Sequence, residues 1–232
     1  MTEIPVRARR APTTGDSHGP TQVRITEMFV SLQGEAADSG WPTAFVRLTG
    51  CPLRCRWCDS AYAFEGGEAR ALDTILAWVG QTGVRHVCVT GGEPLAQPGC
   101  RDLLARLCDA GYRVSLETSG ALDIGGLDSR VTVVMDWKAP GSDEQDRNLE
   151  ANIPHLAAGD QLKFVLANRA DFDWARAELG RLDLAPEVEV LFSPVFGELA
   201  PRELADWIVA ERLPVRFQLQ LHKLLWGDQP GR

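Results

Sequence analysis

His86-Val87-Cys88-Val89-Thr90-Gly91-Gly92-Glu93-Pro94 is the stretch on which the fold turns: an apolar, β-branched run enters a glycine pair and a proline. The run predicts a buried strand over 86–90. The Gly-Gly segment reads as a strand-to-helix turn whose backbone can approach a ligand without Cβ interference. Helical spacing over 102–110 and a second β-branched run over 113–117 complete a strand-helix-strand unit. Outward from it, strands are predicted at 44–48, 131–136, 162–166, 188–192 and 215–219. Helices are predicted at 72–79, 172–182 and 202–211, with Pro201 suited to the first turn of the last. Such alternation implies right-handed crossovers and an α/β fold with six to seven mostly parallel strands.

Polar residues collect just beyond several strands: Thr90, then Glu117-Thr118-Ser119, Asp136 with Lys138, Ser193, and Gln220 with His222. Sites built from the C-terminal ends of many strands belong to (β/α) barrels. Seven strands are too few to close one, so the expectation is a partial, open, TIM-like barrel.

Some 30 residues before the glycine pair lies Gly50-Cys51-Pro52-Leu53-Arg54-Cys55-Arg56-Trp57-Cys58-Asp59-Ser60. It supplies three soft thiolates and no fourth. A closed structural zinc site takes four protein ligands, whereas a cubane iron-sulfur cluster on three thiolates leaves one iron open. The competing reading is a zinc site completed by one of the four histidines, none of which lies near the loop.

A chain of 232 residues with 44% hydrophobic composition and net charge −8 suits one soluble barrel-type domain. The negative balance argues against a nucleic-acid partner, which clustered Lys and Arg would favour. No apolar run approaches the length of a membrane span, and the mean hydropathy is −0.14. The N-terminus lacks the order of a signal peptide, so the cytoplasm is the expected compartment and the six cysteines are not expected to form a disulfide framework. Cys88, Cys100 and Cys108 read as small buried hydrophobes. Residues 1–21, rich in Arg, Pro, Thr and Gly, read as a poorly ordered tail before a single domain over 22–232.

The Cys-x3-Cys-x2-Cys loop and Gly91-Gly92-Glu93-Pro94 together resemble the radical S-adenosylmethionine (SAM) superfamily. That resemblance implies a 4Fe-4S cluster on Cys51, Cys55 and Cys58 and SAM chelated to the open iron. Within the superfamily, Phe29-Val30-Ser31-Leu32-Gln33-Gly34-Glu35, Phe45-Val46-Arg47-Leu48-Thr49-Gly50, Cys58-Asp59-Ser60 and Gln220-Leu221-His222-Lys223 resemble the 7-carboxy-7-deazaguanine synthase family, from Glu27 to the C-terminus. The implied reaction is that of a lyase in 7-deazapurine and queuosine biosynthesis. A 5'-deoxyadenosyl radical removes the C6 hydrogen of 6-carboxy-5,6,7,8-tetrahydropterin, and ring contraction with loss of ammonia gives 7-carboxy-7-deazaguanine. A radical SAM activase of a glycyl-radical enzyme would share the Cys loop and the glycine turn, and a non-enzymatic zinc-binding module would share the cysteines alone.

On this resemblance Leu32, Gln33, Gly34, Arg47, Thr90 and His222 are substrate residues. The planar fork of Arg47 suits a carboxylate, and His222 is placed to hydrogen-bond or move a proton. Trp57, Cys58, Asp59, Gly92, Asp136, Trp137, Lys138, Ser193, Pro194, Val195 and Phe196 match the stretches that cradle SAM; Glu117 and Ser119 lie at a neighbouring strand end. Ser60 stands where the family usually has a Mg2+-binding Thr, and its hydroxyl is an equally hard ligand. The tail 224–232 departs from the family, some members of which present a C-terminal carboxylate to the pterin. Implied partners are an electron donor such as flavodoxin or ferredoxin and a second copy of the chain.

Overall fold

The computed structural model describes residues 21–227, 229 and 231, so the predicted tail lies outside the described residues apart from Thr21. One nine-stranded sheet organises the described residues in the order β3-β1-β2-β4-β5-β6-β7-β8-β9. The strands are β1 (Gln22–Leu32), β2 (Pro42–Leu48), β3 (Glu68–Ala71), β4 (His86–Gly91), β5 (Arg113–Thr118), β6 (Thr132–Asp136), β7 (Gln161–Leu166), β8 (Glu189–Pro194) and β9 (Arg216–Phe217). From β2 to β9 every neighbouring pair is parallel, which gives the seven parallel strands the alternation predicts. β1 and β3 are antiparallel additions at one edge. The first and last strands in the order are not paired, and the barrel stays open.

The helices are α1 (Leu72–Thr82), α2 (Cys100–Asp109), α3 (Arg169–Arg181), α4 (Pro201–Glu211) and α5 (Leu221–Trp226). Each of the first four buries residues three or four apart, as Leu72, Ile75 and Val79 in α1 or Cys100, Leu103, Leu104, Leu107 and Cys108 in α2. Asn168 caps α3 by accepting from the Asp171 amide at 3.0 Å, and Pro201 occupies the first turn of α4. Cys88, Cys100 and Cys108 are buried, as their apolar settings predict.

Alternation along the strands separates two faces. In β7, Leu162, Phe164 and Leu166 enter the core while Lys163 and Val165 face a cavity on the other side. The loop after β1 crosses that inner face. Ala36, with φ of 64°, packs on Val134 of β6 and Leu191 of β8, and the Ala37 amide donates to Gln161 Oε1 at 3.1 Å. This plug fixes the ends of the loop, and with them Gln33, Gly34 and Glu35.

Candidate active site

Two cavities of about 400 and 420 Å³ open side by side at the C-terminal ends of the parallel strands, within the range of small-ligand sites. Glu35, Arg47, Asp59, Ser60, Thr90, Glu117, Phe196 and Lys223 line both and form the wall between them.

The larger cavity contains Cys51, Cys55 and Cys58, each half-buried and free. The Gly91-Gly92 turn is pressed against their loop. A Cβ on Gly92 would meet the Gly50 carbonyl oxygen at 2.4 Å and Cys51 Cβ at 2.7 Å, so only glycine allows this approach. Glu93, fully buried, accepts from the Leu95 amide, the Thr118 hydroxyl, and the Ser119 amide and hydroxyl at 2.5–3.0 Å, tying the turn to the end of β5. The Ser119 hydroxyl is therefore engaged with Glu93.

This cradle fits a thiolate-bound cluster. Burial pushes the Cys51 thiol up and the Cys55 thiol to about 11, so metal ligation, which needs thiolates, would release protons there. Among the described residues no three His, Cys, Asp or Glu side chains converge on a position for one metal ion. A cubane binds each thiolate through a different iron and does not require such convergence. Asp136 lines the same cavity, and its buried Oδ1 has no hydrogen-bond partner, leaving an acceptor for the amino or hydroxyl groups of a ligand such as SAM. Its Oδ2 takes Lys138 Nζ at 2.9 Å. Trp57 lies under the Arg56 guanidinium and lines this cavity together with Val195 and Phe196.

Three residues assigned to the SAM cradle are placed differently. The Trp137 side chain is in the core and donates through Nε1 to Glu178 at 3.0 Å, because the strand direction turns it toward α3; its amide donates to the Lys163 carbonyl at 2.7 Å, so only its backbone carbonyl remains for a ligand. Ser193 and Pro194 are buried at the end of β8 and do not line the cavity, whereas Val195 and Phe196 do.

The smaller cavity gathers Leu32, Gln33, Gly34, Arg47, Thr90 and His222 from four parts of the chain. A Cβ on Gly34 would fall 2.0 Å from His222 Nδ1, and the Leu221 amide donates to the Gly34 carbonyl at 2.9 Å, so α5 closes directly onto the loop. Gln33 Nε2 and Thr90 Oγ1 both donate to Glu117, at 3.3 and 3.0 Å. Thr90 thus offers a ligand its acceptor lone pairs. Ser60 belongs to the shared wall, its hydroxyl 3.8 Å from the Cys58 sulfur, and can direct that oxygen to a Mg2+. Gly227, Gln229 and Gly231 of the tail line the cavity too.

Arg47 is held by partners the sequence did not reveal. Its Nε donates to Glu27 Oε1 at 2.7 Å, the Tyr62 hydroxyl donates to the same oxygen at 2.7 Å, and the Tyr62 ring lies 5.8 Å from the guanidinium carbon. Burial works against the Arg47 charge, but Tyr62, Glu27 and Glu117 outweigh it and raise its pKa; burial lifts the Tyr62 phenol to about 12. The end-on edge of the fork, two terminal nitrogens, is not engaged by Glu27. Glu35 and Lys163 were likewise not singled out. A lone lysine between Leu162 and Phe164, in an otherwise apolar strand, was the available signal.

An open parallel β/α sheet with a three-thiol loop packed on a Gly-Gly-Glu-Pro turn defines a radical SAM enzyme, and residues 45–130 match the radical SAM superfamily. A 7-carboxy-7-deazaguanine synthase of Chlorobaculum tepidum is 45% identical over 209 residues, covering 88% of this chain and 94% of the relative. One from Koribacter versatilis is 40% identical, covering 89% and 98%. The crystal structure of QueE from Escherichia coli superposes with TM-score 0.72 at 25% identity, covering 87% of this chain and 95% of that one. The chain belongs to the 7-carboxy-7-deazaguanine synthase family. Its cofactors are accordingly a 4Fe-4S cluster, SAM and Mg2+. The activase and zinc-module readings are set aside. Among the described residues no helix is long and apolar enough to cross a membrane.

Proposed function

We propose that the chain, as one domain over 22–232, converts 6-carboxy-5,6,7,8-tetrahydropterin to 7-carboxy-7-deazaguanine with loss of ammonia. The observation that carries this reading is the pair of adjoining cavities, one with the cluster cysteines and one with Gln33, Arg47, Thr90 and His222, sharing a single wall. A small carboxylated heterocycle in the second cavity lies next to the cofactor in the first.

Cys51, Cys55 and Cys58 would hold the cluster, while the Gly92 backbone, Asp59, Asp136, Lys138, Val195 and Phe196 hold SAM. When bound, cluster and SAM supply the one-electron chemistry that removes the C6 hydrogen. The protein's part is to bind, orient and shield. The free edge of Arg47 takes the substrate carboxylate. Gln33 and Glu35 read the donor and acceptor edge of the ring, and Thr90 accepts an N–H because Glu117 holds its proton. Leu32 and Gly34 shape the floor, and His222, packed on Gly34, moves a proton or bonds the carboxylate. Ser60 supplies the protein oxygen to Mg2+ at the wall. The enzyme works in the cytoplasm as a homodimer and receives its electron from a donor such as flavodoxin or ferredoxin.

The test is an anaerobic assay of cluster-loaded protein with SAM, Mg2+, reductant and the carboxylated tetrahydropterin, product being identified by mass. Turnover that disappears in Cys55→Ala is the expected result. No product from the fully loaded parent, or unaltered activity in Cys55→Ala, would reject the reading.

A further inference from the structure

Lys163 lines the cluster cavity, and its charge faces Glu35 and Glu117, which line both cavities. It projects from β7 beside Asp136 of β6, its partner in register. Its Nζ lies 2.7 Å from Glu35 Oε2, and both side chains are nearly buried, at 12% and 13% exposure. The other Glu35 oxygen accepts from Gln220 Nε2 at 2.9 Å, and that amide also reaches Asp59 Oδ2 at 3.2 Å. Burial disfavours the ammonium, but the fields of Glu35, Asp136 and Glu117 outweigh it and raise the Lys163 pKa, so the group stays charged.

A carboxylate can accept about four hydrogen bonds, and the two that Glu35 accepts here fall one on each oxygen. They fix the plane of the group and leave its remaining lone pairs to the substrate cavity that Glu35 lines. Asp59 and Asp136 are paired with Lys223 and Lys138, whereas Glu35 is paired with Lys163; without it this nearly buried carboxylate would either swing away or take up a proton.

We propose that Lys163 is a positioning residue for substrate recognition, holding Glu35 in the orientation and charge state in which it meets the substrate ring. This rests on the functional reading above. It predicts that the loss on removing Lys163 falls on substrate affinity and runs through Glu35.

The experiment measures anaerobic dissociation constants for the carboxylated tetrahydropterin and, separately, for SAM, in the cluster-loaded parent, Lys163→Met, Glu35→Gln and the double variant. Lys163→Met should weaken substrate binding by roughly 10- to 100-fold and SAM binding by less than about 3-fold. In the Glu35→Gln background the same substitution should cost less than about 3-fold, since no carboxylate remains to be held. Should Lys163→Met fail to fold, Lys163→Arg, which keeps the charge and moves the donor, should weaken substrate binding several-fold with SAM affinity retained. Equal losses for substrate and SAM, no loss, or full additivity with Glu35→Gln would overturn the assignment. A parent that does not bind the tetrahydropterin would overturn the functional reading with it, whereas a normal parent and an indifferent Lys163 variant would overturn this inference alone.

Discussion

Glu93 and Glu35 are both buried or nearly buried carboxylates beside the cavities, and they differ in what is left over. Glu93 accepts from two backbone amides and two hydroxyls and has about as many partners as a carboxylate can take. Glu35 accepts from Lys163 and Gln220 and retains acceptor capacity toward the cavity it lines. The same chemical group is thus saturated in one region and left with open acceptor sites in the other, which is what separates a scaffold from the ligand-reading role proposed for Glu35. Arg47 follows the second pattern, with Nε spent on Glu27 and its terminal edge open.

The comparison breaks most visibly at Glu93. Removing it in Glu93→Ala leaves buried amides and hydroxyls without acceptors, each costing about 1–3 kcal/mol, with some relief from water or rearrangement. We expect a net loss of about 3–5 kcal/mol, which for a chain of this size lowers Tm by roughly 6–20 °C. Thermal unfolding of the variant beside its parent checks this, and an unchanged Tm would mean that the turn is held by other contacts. At the wall the effect should fall on binding instead. Arg47→Ala should weaken the carboxylated tetrahydropterin by about 2–4 kcal/mol, roughly 30- to 1000-fold, with SAM affinity kept. Arg47→Lys should recover part of it, because the charge remains and the planar fork does not. Titration of both ligands against the three proteins decides; equal loss of SAM and substrate would make Arg47 scaffold like Glu93.

A smaller effect is expected at Thr90. Thr90→Val keeps the shape and removes one hydroxyl acceptor, so substrate affinity should drop by about 0.5–1.5 kcal/mol, or roughly 2- to 13-fold, with stability little changed. Binding that matches the parent would remove Thr90 from the substrate contacts. The smallest effect is the pH response of the wall. Burial raises the Glu35 pKa, but Lys163 and Gln220 outweigh it and hold it below its ordinary 4.5. Its stabilisation is therefore complete above that value and lost as pH falls through the lower folded value. Lys163 is shifted up from its ordinary 10.5, so its share is complete below that pH and lost only as pH rises through the folded value. The pair should add no slope to stability between about pH 5 and 10, and denaturant midpoints of parent and the Glu35→Gln/Lys163→Met double variant across that range should run parallel. Curves that diverge near neutrality would show one partner to be uncharged.

Much of the architecture was legible because strand and helix periods are local. The β-branched runs marked all seven parallel strands, with the last shortened to Arg216–Phe217. β1 carried a readable signal in Val23 and Ile25, whose alternation buries them, but its second half was taken up as a motif. β3 had none. Glu68-Ala69-Arg70-Ala71 is exposed throughout and extended only because it pairs with β1. In the site, Cys51, Cys55, Cys58 and the glycine turn could be recognised since their chemistry lies in short spacings. The Trp137 side chain could not be located that way, as adjacent residues on a strand face opposite sides.

The sequence by itself determined the parallel β/α order, the three-thiolate loop and the backbone that must lie against it, because each depends on residues within a few positions of one another. Only the tertiary structure decided how the wall is charged. Lys163 meets Glu35 across 128 positions and Gln220 meets Glu35 across 185, while Arg47 is claimed by Glu27 from a strand that the periodicity did not mark. Such pairings leave no pattern along the chain, since a charged side chain is fixed by the field and the hydrogen bonds around it, and those exist only once the strands have been brought together.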